Sequence, residues 1–535
     1  MNKFILFFVL LFFGNAVGQV QKLGELSSGR FLDSSVIMED DDSDVFGYCL
    51  LYELDRKSKE VFQLEYIILD KNLNKLTSVS LTQAVFKTFA ARTRAELTFV
   101  KKIGNQLTIA VNDRLVKVEQ SDFMPYFNYR FINVNLDNFT VSKEYKYEEF
   151  TVKEYDYKPG DKMGFNDFWD LQKLTRIKGN YFLAFATPEY NPQVTIITSM
   201  VTFDFKKQQS VKRFALLDKD MKMIWSKDIN TDKKTACRYE YLDCDGEVLL
   251  LKKETLIKKV ALQAKSIEAY DIKTGKLLGE IKITDEEYDI NLYSVAIVKD
   301  KIHLFTNTYN KKGSNLGYGH LVFEKSSINE TSRNFILWKD LGAALPGVTE
   351  FGVLSKTEWL MAQDFIITPK GNILMVAEAY STKSGVNVLT HVQTTYALLK
   401  NMYLIEFNPD GSIAFSKTIE KKNSVEIPML LNATAVKDYG AFDYIFCQKI
   451  NKAGDFVLYY TLNDQAGDRK KVAKKPLSTL GIISNVDGEY SYETLPLYGN
   501  DLKIYPGLAK NGYIRLLEVN QKTNQAEMRL EKINY

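Results

Sequence analysis

The chain has 535 residues, with 70 Lys and Arg against 67 Asp and Glu, so its formal net charge is only +3. This balance argues against nucleic acid or another polyanion as a partner, because such partners need a strongly basic surface. Aromatic residues make up 13% of the chain and prolines number only 11, which is typical of a strand-rich protein without Pro-rich linkers.

The N-terminus has the composition of a secretory signal peptide. Lys3 precedes an almost wholly apolar run at 4–13, and the small residues Ala16 and Gly18 precede the expected cleavage site. That run is too short to span a bilayer comfortably. We therefore predict that residues 1–18 are removed and that the mature chain begins at Gln19. Export would place it in the periplasm or at the cell surface, with no transmembrane segment in the mature chain.

One turn sequence recurs along the rest of the chain. In its clearest copy, at 269–281, Asp271 opens a tight turn, Gly275 can adopt a positive φ, and apolar residues resume on both sides. Further copies are anchored at Asp70, Asn135, Asp218, Glu324, Asn408, Asn463 and Asn520. The copies at Asp218 and Asp271 are 53 residues apart, slightly more than the about 40–50 residues of a propeller blade.

These repeats predict an all-β fold: a β-propeller of four-stranded antiparallel blades, with eight blades and seven as the alternative. Residues 19–535 would form one domain, because a repeat array lets a single domain grow this long. The inner turns of the blades are expected at 39–44, 104–105, 178–180, 245–246, 299–301, 369–372, 438–440 and 498–500. The segment 255–264 fits a short inserted helix and an extended strand equally well.

Propeller topology predicts which face carries the long connections. With the strands of a blade called A to D from the axis outward, the A–B and C–D turns lie on one face. The B–C and D–A connections lie on the other. We expect long insertions at about 152–169 and 340–356 (D–A) and at 188–212 and 380–400 (B–C), all on one face. Long loops in a compact domain are usually functional.

Aromatic residues in these insertions are the candidate binding residues: Trp169, Tyr190, Trp359 and His391. Aromatic rings above a polar-rimmed surface suit a glycan or a protein partner. The alternative is that the rings only pack each insertion onto the disc.

No metal, cofactor or catalytic motif is predicted. The acidic run at 39–44 lacks the ligand spacing of an EF-hand and is more typical of a solvated turn. Nucleophile-elbow, zinc-protease and phosphate-loop motifs are missing from the sequence. Asp156 and Glu350 are the carboxylates to consider for glycoside chemistry, in which two carboxylates meet in space.

The four cysteines are predicted to stay free, although an exported chain could oxidise them. Cys237 and Cys244 lie in one strand, too far apart for a bridge. Cys49 and Cys447 fall in blades 1 and 7, which are not neighbours in an eight-blade ring.

The repeat at 270–276 and the stretch at 217–225 resemble the repeats of quinoprotein-like and WD-type propellers. Quinoprotein blades regularly carry a docking Trp near the end of the repeat, whereas here only Trp225 occupies that position, so no quinone cofactor is expected. As a whole the chain resembles uncharacterised exported β-propeller proteins of Bacteroidota. That resemblance implies a fold and a location rather than an activity.

The function expected from the sequence is non-enzymatic. The exported propeller would bind an envelope protein or a glycan through its long-loop face. The alternative is a carbohydrate-active hydrolase or lyase that uses carboxylates on the same face, and a purely structural envelope role is a third reading.

Overall fold

A computed structural model describes residues 19–54, 61–84, 97, 99–119, 122–142, 145–146, 173–177, 181–186, 212–229, 235–257, 261–355, 357–386, 393–421, 426–428, 442–451, 453–462, 478–497 and 501–534. It begins with a short strand, β1 (Val20–Lys22), and a 3₁₀ turn at Leu23–Glu25. Among these residues no helix is long and apolar enough to cross a membrane.

The first four blades follow in chain order. Blade 1 contains β2 (Arg30–Met38), β3 (Val45–Glu53), β4 (Val61–Asp70) and β5 (Lys75–Ala84). Blade 2 contains β6 (Phe99–Ile103), β7 (Gln106–Glu119), β8 (Asp122–Asn135) and β9 (Tyr145–Lys146). Blade 3 contains β10 (Lys173–Ile177), β11 (Tyr181–Ala186), β12 (Lys212–Leu217) and β13 (Met223–Ile229). Blade 4 contains β14 (Thr235–Cys244), β15 (Val248–Ile257), β16 (Ala261–Asp271) and β17 (Leu277–Lys282).

The last four blades include one with additional strands. Blade 5 contains β18 (Asp289–Val298), β19 (Lys301–Tyr309), β20 (Asn315–Glu324) and β21 (Glu330–Leu337). Blade 6 contains β22 (Val353–Ser355), β23 (Glu358–Ile367), β24 (Ile373–Val386), β25 (Gln393–Phe407), β26 (Ile413–Ile419) and β27 (Glu426–Pro428). Blade 7 contains β28 (Tyr444–Lys449), β29 (Phe456–Leu462), β30 (Ser478–Val486) and β31 (Glu489–Leu497). Blade 8 contains β32 (Leu502–Gly507), β33 (Tyr513–Asn520), β34 (Ala526–Lys532) and, as its outermost strand, β1.

The described strands form eight antiparallel sheets, and the protein is an all-β propeller of four-stranded blades. The first strands of neighbouring blades contact one another: β2 contacts β6, and β14 contacts β18. These contacts place strand A of each blade at the axis. The ring closes because β1 pairs with β34, with Val20 opposite Arg529 and Lys22 opposite Glu527. The N-terminal strand thus completes the sheet that the C-terminal strands begin.

Each blade is apolar on both sides, because its two faces pack against different neighbours. Along β3, Tyr48, Leu50 and Tyr52 belong to the core cluster shared with blade 8. The intervening Cys49 and Leu51 belong to the cluster shared with blade 2. Side chains of a strand point alternately to opposite sides, so a central strand buried on both faces reads as a nearly continuous hydrophobic run.

The recurring sequence forms a tight turn, as its composition predicts, and in most blades this turn joins strands C and D. The Asp271 side chain accepts the N–H of Thr274 at 2.8 Å, and the Gly275 N–H donates to the Asp271 carbonyl at 2.9 Å. Gly275 adopts φ +66°, and Asn524 takes the equivalent place at φ +56°. The anchors at residues 70, 135, 218, 271, 324 and 408 all begin such C–D turns, whereas the anchor at residue 520 begins the B–C turn of blade 8, whose strand D is β1.

Three turn assignments in blades 7 and 8 are wrong. Residue 463 lies outside the described residues, and the C–D turn of blade 7 is formed at 487–488, where both residues have positive φ. The A–B turn of blade 7 lies at 450–455, after the expected 438–440. Residues 498–500 lie outside the described residues, and strands A and B of blade 8 are joined at 508–512 instead. Gly, Asn and Asp mark every tight turn alike, so composition does not say which two strands a turn connects.

The structure also tests two further predictions, the conformation of 255–264 and the state of the cysteines. At 255–264 the structure has strand, because β15 runs to residue 257 and β16 resumes at residue 261. Cys49 and Cys447 are free thiols, as predicted. The Cys237 side chain lies outside the part that the structure describes.

The docking Trp of the sequence resemblance joins two blades. Trp225, in strand D of blade 3, donates its indole N–H to the Ile272 carbonyl of blade 4 at 2.9 Å. Its ring lies against the C–D turn of that blade, where a Cβ on Gly275 would come within 2.7 Å of Trp225 Cδ2. Two separate features therefore require a glycine at position 275: the positive φ of its backbone and the close approach of the indole ring.

We expect Gly275→Ala to destabilise the protein more than Gly411→Ala does. Gly411 has φ +86° in the equivalent turn of blade 6, but nothing lies within 4 Å of its Cβ position. In Gly411→Ala the free energy of unfolding should fall only by the penalty of a left-handed backbone, about 1–2 kcal/mol. In Gly275→Ala it should fall by a further amount of about 1–3 kcal/mol, because the new methyl group overpacks against Trp225. Thermal unfolding of both variants measures the difference. Equal losses of stability would show that the Trp225 ring moves aside without a cost in free energy.

Candidate functional site

An apolar row crosses four strands of blade 6 on the long-loop face. Val353 of β22 lies opposite Trp359 of β23, Trp359 opposite Tyr380 of β24, and Tyr380 opposite Leu399 of β25. Directly opposed residues share one side of a sheet. We call Val353, Trp359, Tyr380 and Leu399 the apolar row.

Blade 7 covers one end of the apolar row and leaves the other open. The Phe442 ring meets that of Tyr380 edge to face, with centroids 6.1 Å apart, and packs on Leu399. Burial there raises the pKa of Tyr380. At the open end Trp359 keeps 43% of its surface exposed. Large exposed aromatic residues are the side chains most often found at the centre of binding surfaces.

The connection from blade 5 to blade 6 supports the open end. Trp338 is buried and donates its indole N–H to Asn315 at 2.8 Å, while Leu341 and Leu345 join the core of blades 5 and 6. This part of the predicted 340–356 insertion is packed onto the disc. Phe351 nevertheless remains 39% exposed, and the Gly352 carbonyl accepts the N–H of Leu360, next to Trp359.

A buried ionic cluster fixes the covered end of the row. Glu378, one step below Tyr380 on β24, accepts the N–H groups of Asp443 at 3.1 Å and Tyr444 at 2.7 Å. Lys421 forms an ion pair with Asp443, and all three side chains are buried. Because Asp443 and Tyr444 follow Phe442 directly, this cluster holds Phe442 over Tyr380.

Electrostatics in the cluster follow from burial. Desolvation, together with the nearby charge of Asp443, raises the pKa of Glu378 to about 7. Burial also raises the pKa of Asp443, against the opposing charge of Lys421. The two carboxylates therefore converge, yet their oxygens are occupied by backbone N–H groups and an ammonium group rather than turned toward solvent.

The structure places only part of the predicted site. Trp359 is exposed on the expected face, whereas Trp169, Tyr190, His391 and Asp156 lie outside the described residues. Glu350 is exposed beside Phe351. The predicted insertion at 380–400 has strand at 380–386 and 393–400, so a hairpin stands where a loop was expected. Sequence reasoning missed the apolar row and the ionic cluster, whose members meet only across strands and blades.

Comparison with known proteins gives a family. A family model described as a family of unknown function, DUF6770, matches residues 197–534. The chain belongs to DUF6770. The matched part includes the apolar row and the ionic cluster. No curated protein matches the chain.

Solved structures similar to this DUF6770 protein share little sequence with it. The β-propeller domain of the Trilobed protease from Pyrococcus furiosus has 10% identity and a TM-score of 0.31, covering 83% of this chain and 97% of that one. Prolyl oligopeptidase B from Galerina marginata has 10% identity and a TM-score of 0.35, covering 93% and 56%. Kuenenia stuttgartiensis hydrazine synthase has 12% identity and a TM-score of 0.28, covering 65% and 75%. Likeness at this level supports no conclusion about function.

The acidic turn at 39–44 of the DUF6770 protein connects blades on the opposite face. Lys102 of blade 2 reaches Glu39 at 2.9 Å and Asp40 at 3.2 Å, and the Gly104 N–H donates to Asp40 at 2.8 Å. Arg176 of blade 3 donates to the Glu39 carbonyl at 2.9 Å. The sequence favours a solvated turn here, but its acidic groups are bound by basic residues and backbone N–H groups of other blades.

Two of the three histidines form a stacked pair inside blade 5. His303 Nδ1 and His320 Nε2 are 3.0 Å apart, and the two rings are nearly parallel, with centroids 5.3 Å apart. The His320 ring also stacks on Phe305. Burial lowers the pKa of His303 to about 4 and that of His320 to about 3. Both rings are therefore neutral at physiological pH.

We expect acidification to destabilise the fold through this pair. Between about pH 6.5 and about pH 4, the two histidines are protonated in the unfolded chain but remain neutral in the folded protein. The unfolded state therefore gains protons as the pH falls, and the stability of the fold decreases. Thermal unfolding between pH 7.5 and 4.5 should show a smaller loss for His320→Phe, which keeps the stacking on Phe305. Glu378 acts in the opposite direction below about pH 7 in both proteins, so it cancels in the comparison. An unchanged pH slope would contradict the assignment.

Glu378→Ala is expected to destabilise the protein by about 2–4 kcal/mol, because the buried N–H groups of Asp443 and Tyr444 both lose their acceptor. The matched control is Glu350→Ala, an exposed carboxylate of the same face, which should change stability by less than about 0.5 kcal/mol. Thermal unfolding at pH 7.5 makes the comparison. Similar effects of the two substitutions would show that the cluster does not anchor blade 7.

Proposed function

We propose that this DUF6770 propeller is a non-enzymatic binding protein that engages its partner through the open end of the apolar row. One observation carries the proposal: Trp359 is left 43% exposed, whereas its neighbour Tyr380 is half-buried and Leu399 at the covered end of the row is buried. Nearby in the chain, Phe351 is 39% exposed, and Glu358 forms an ion pair with Lys400 whose charged atoms are 3.9 Å apart. An aromatic centre with a charged rim is the usual composition of a binding patch.

Binding is favoured over hydrolysis by the state of the carboxylates. An inverting or retaining glycosidase needs two carboxyl groups that both reach the substrate. Glu378 and Asp443 converge, but both are buried and already have partners.

Two partner classes fit the open end, an envelope protein and a glycan. A protein would bury Trp359 and Phe351 together as an apolar anchor. A sugar would stack its apolar face on the indole, with hydrogen bonds to the rim. Both remain arms of the test, because the row itself favours neither.

Export is part of the proposal. Removal of residues 1–18 would leave Gln19 as the first residue, and its carbonyl accepts the N–H of Leu530 at 2.9 Å. A chain that begins at Gln19 therefore keeps every residue that closes the ring. We place the mature protein in the periplasm or at the cell surface of a member of the Bacteroidota.

The test is capture of a partner by three purified proteins that begin at Gln19: the parent, Trp359→Ala and Tyr492→Ala. Tyr492 is a matched control because its ring is 40% exposed on the outermost strand of blade 7, away from the row. Each is cross-linked in a native envelope extract and applied to a glycan array, and any ligand is then titrated.

Trp359→Ala should weaken the captured interaction by about tenfold or more, as expected for an aromatic anchor, whereas Tyr492→Ala should leave it unchanged. A protein hit or a glycan hit decides the partner class. Equal binding by all three proteins would remove Trp359 from the function. Turnover of an arrayed glycan by the parent would establish the hydrolase or lyase instead.

A further inference from the structure

A cation is buried at the seam where blade 8 meets blade 1. Arg515 of β33 is only 9% exposed. Its Nη1 donates to Ser34 Oγ of β2 at 3.3 Å, and its Cζ lies 5.6 Å from the ring centroid of Tyr48 in β3. A Cβ on Gly507 would lie 2.4 Å from Arg515 Nη2. Only a glycine at position 507 therefore leaves enough room for the guanidinium group between β32 and β2.

The protein itself compensates this charge poorly. Among the described residues, no carboxylate lies within the 4 Å of an ion pair with Arg515, whereas Arg529 in the same blade reaches Glu518 at 2.6 Å. The carboxylate of Asp33 acts on Arg515 from farther away, and burial lowers the pKa of the guanidinium against it. An uncompensated buried charge is strongly destabilising.

Two buried donors at the seam also find no acceptor among the protein atoms that the structure describes. They are Arg515 Nε and the hydroxyl of Tyr48, whose side chain is completely buried. Almost every buried donor in a folded protein has a partner, so each exception calls for one. Here both exceptions lie on side chains that contact each other.

A water molecule and an anion would satisfy these donors differently. Water accepts hydrogen bonds but brings no charge, so the guanidinium would stay uncompensated. A small anion accepts from both donors and neutralises the buried cation in a medium of low dielectric constant, where that attraction is strong. The close approach of Gly507 and Ser34 favours a compact ion over an extended one.

We propose that a small monovalent anion of the chloride class binds between Arg515 and Tyr48. The site would join blade 8 to blade 1 from the inside, near the axis, while β1 joins them at the rim. It is separate from the binding surface around Trp359, so its test is independent of the proposed function.

The first experiment measures thermal unfolding while sodium chloride replaces sodium gluconate at constant ionic strength. A specific site should raise the Tm by about 1 °C for each tenfold increase in chloride above its Kd, given one cooperative unit of this size. Arg515→Met and Tyr48→Phe should abolish or weaken that dependence. Arg529→Met is the matched control, because its partners are carboxylates, and it should keep the dependence of the parent.

The second experiment locates the ion in crystals grown with sodium bromide, by the anomalous scattering of bromide. A peak within hydrogen-bonding distance of Arg515 and Tyr48 Oη would establish the site. It does not depend on whether Arg515→Met folds. Water density at that place, with the same Tm in chloride and in gluconate, would overturn the proposal.

Discussion

Each blade of this protein is apolar on both faces, and neither face can be buried within its own sheet. Tyr48 and Cys49 are neighbours on one strand, yet they belong to cores shared with different blades. A blade is therefore stable only between two neighbours, which is the general condition of repeat proteins. Closure of the ring removes the two end blades that would otherwise expose a face, and it makes the last interface as necessary as any other.

Polar groups decide how the apolar faces are aligned. Trp225 places its ring on the next blade, but the bond from its N–H to the Ile272 carbonyl fixes the depth at which it docks. Glu378 has the same role between blades 6 and 7, where it accepts the backbone N–H groups of Asp443 and Tyr444 at the start of β28. Such bonds add modest net stability, but leaving one unmade in a buried interface is costly. They therefore set the register between blades.

The sequence predicts most of the fold because its information is local. Asp271 and Gly275 lie within one turn, so their composition identifies a tight turn between two strands without knowledge of the rest. The candidate site is different. Glu378, Lys421 and Asp443 are far apart in sequence and meet only after blades 6 and 7 have packed. The sequence predicts a loop from Tyr380 onward, because the pairing of 380–386 with 393–399 is a contact between strands that no local pattern reports. The sequence does single out Trp359, because it is an aromatic residue at the edge of a predicted long insertion.

The closing strand has a consequence for the order of folding. Val20 and its partner Arg529 are separated by more than 500 residues, so their pairing is among the most non-local contacts in the chain. Such contacts form late, because the entropy of closing a long loop is lost before the contact is gained. The N-terminal strand must remain available until the C-terminal strand has emerged and folded. Throughout its synthesis the protein is thus an open arc, whose first and last blades each expose an apolar face. Any factor that protects the nascent chain would have to cover these two faces.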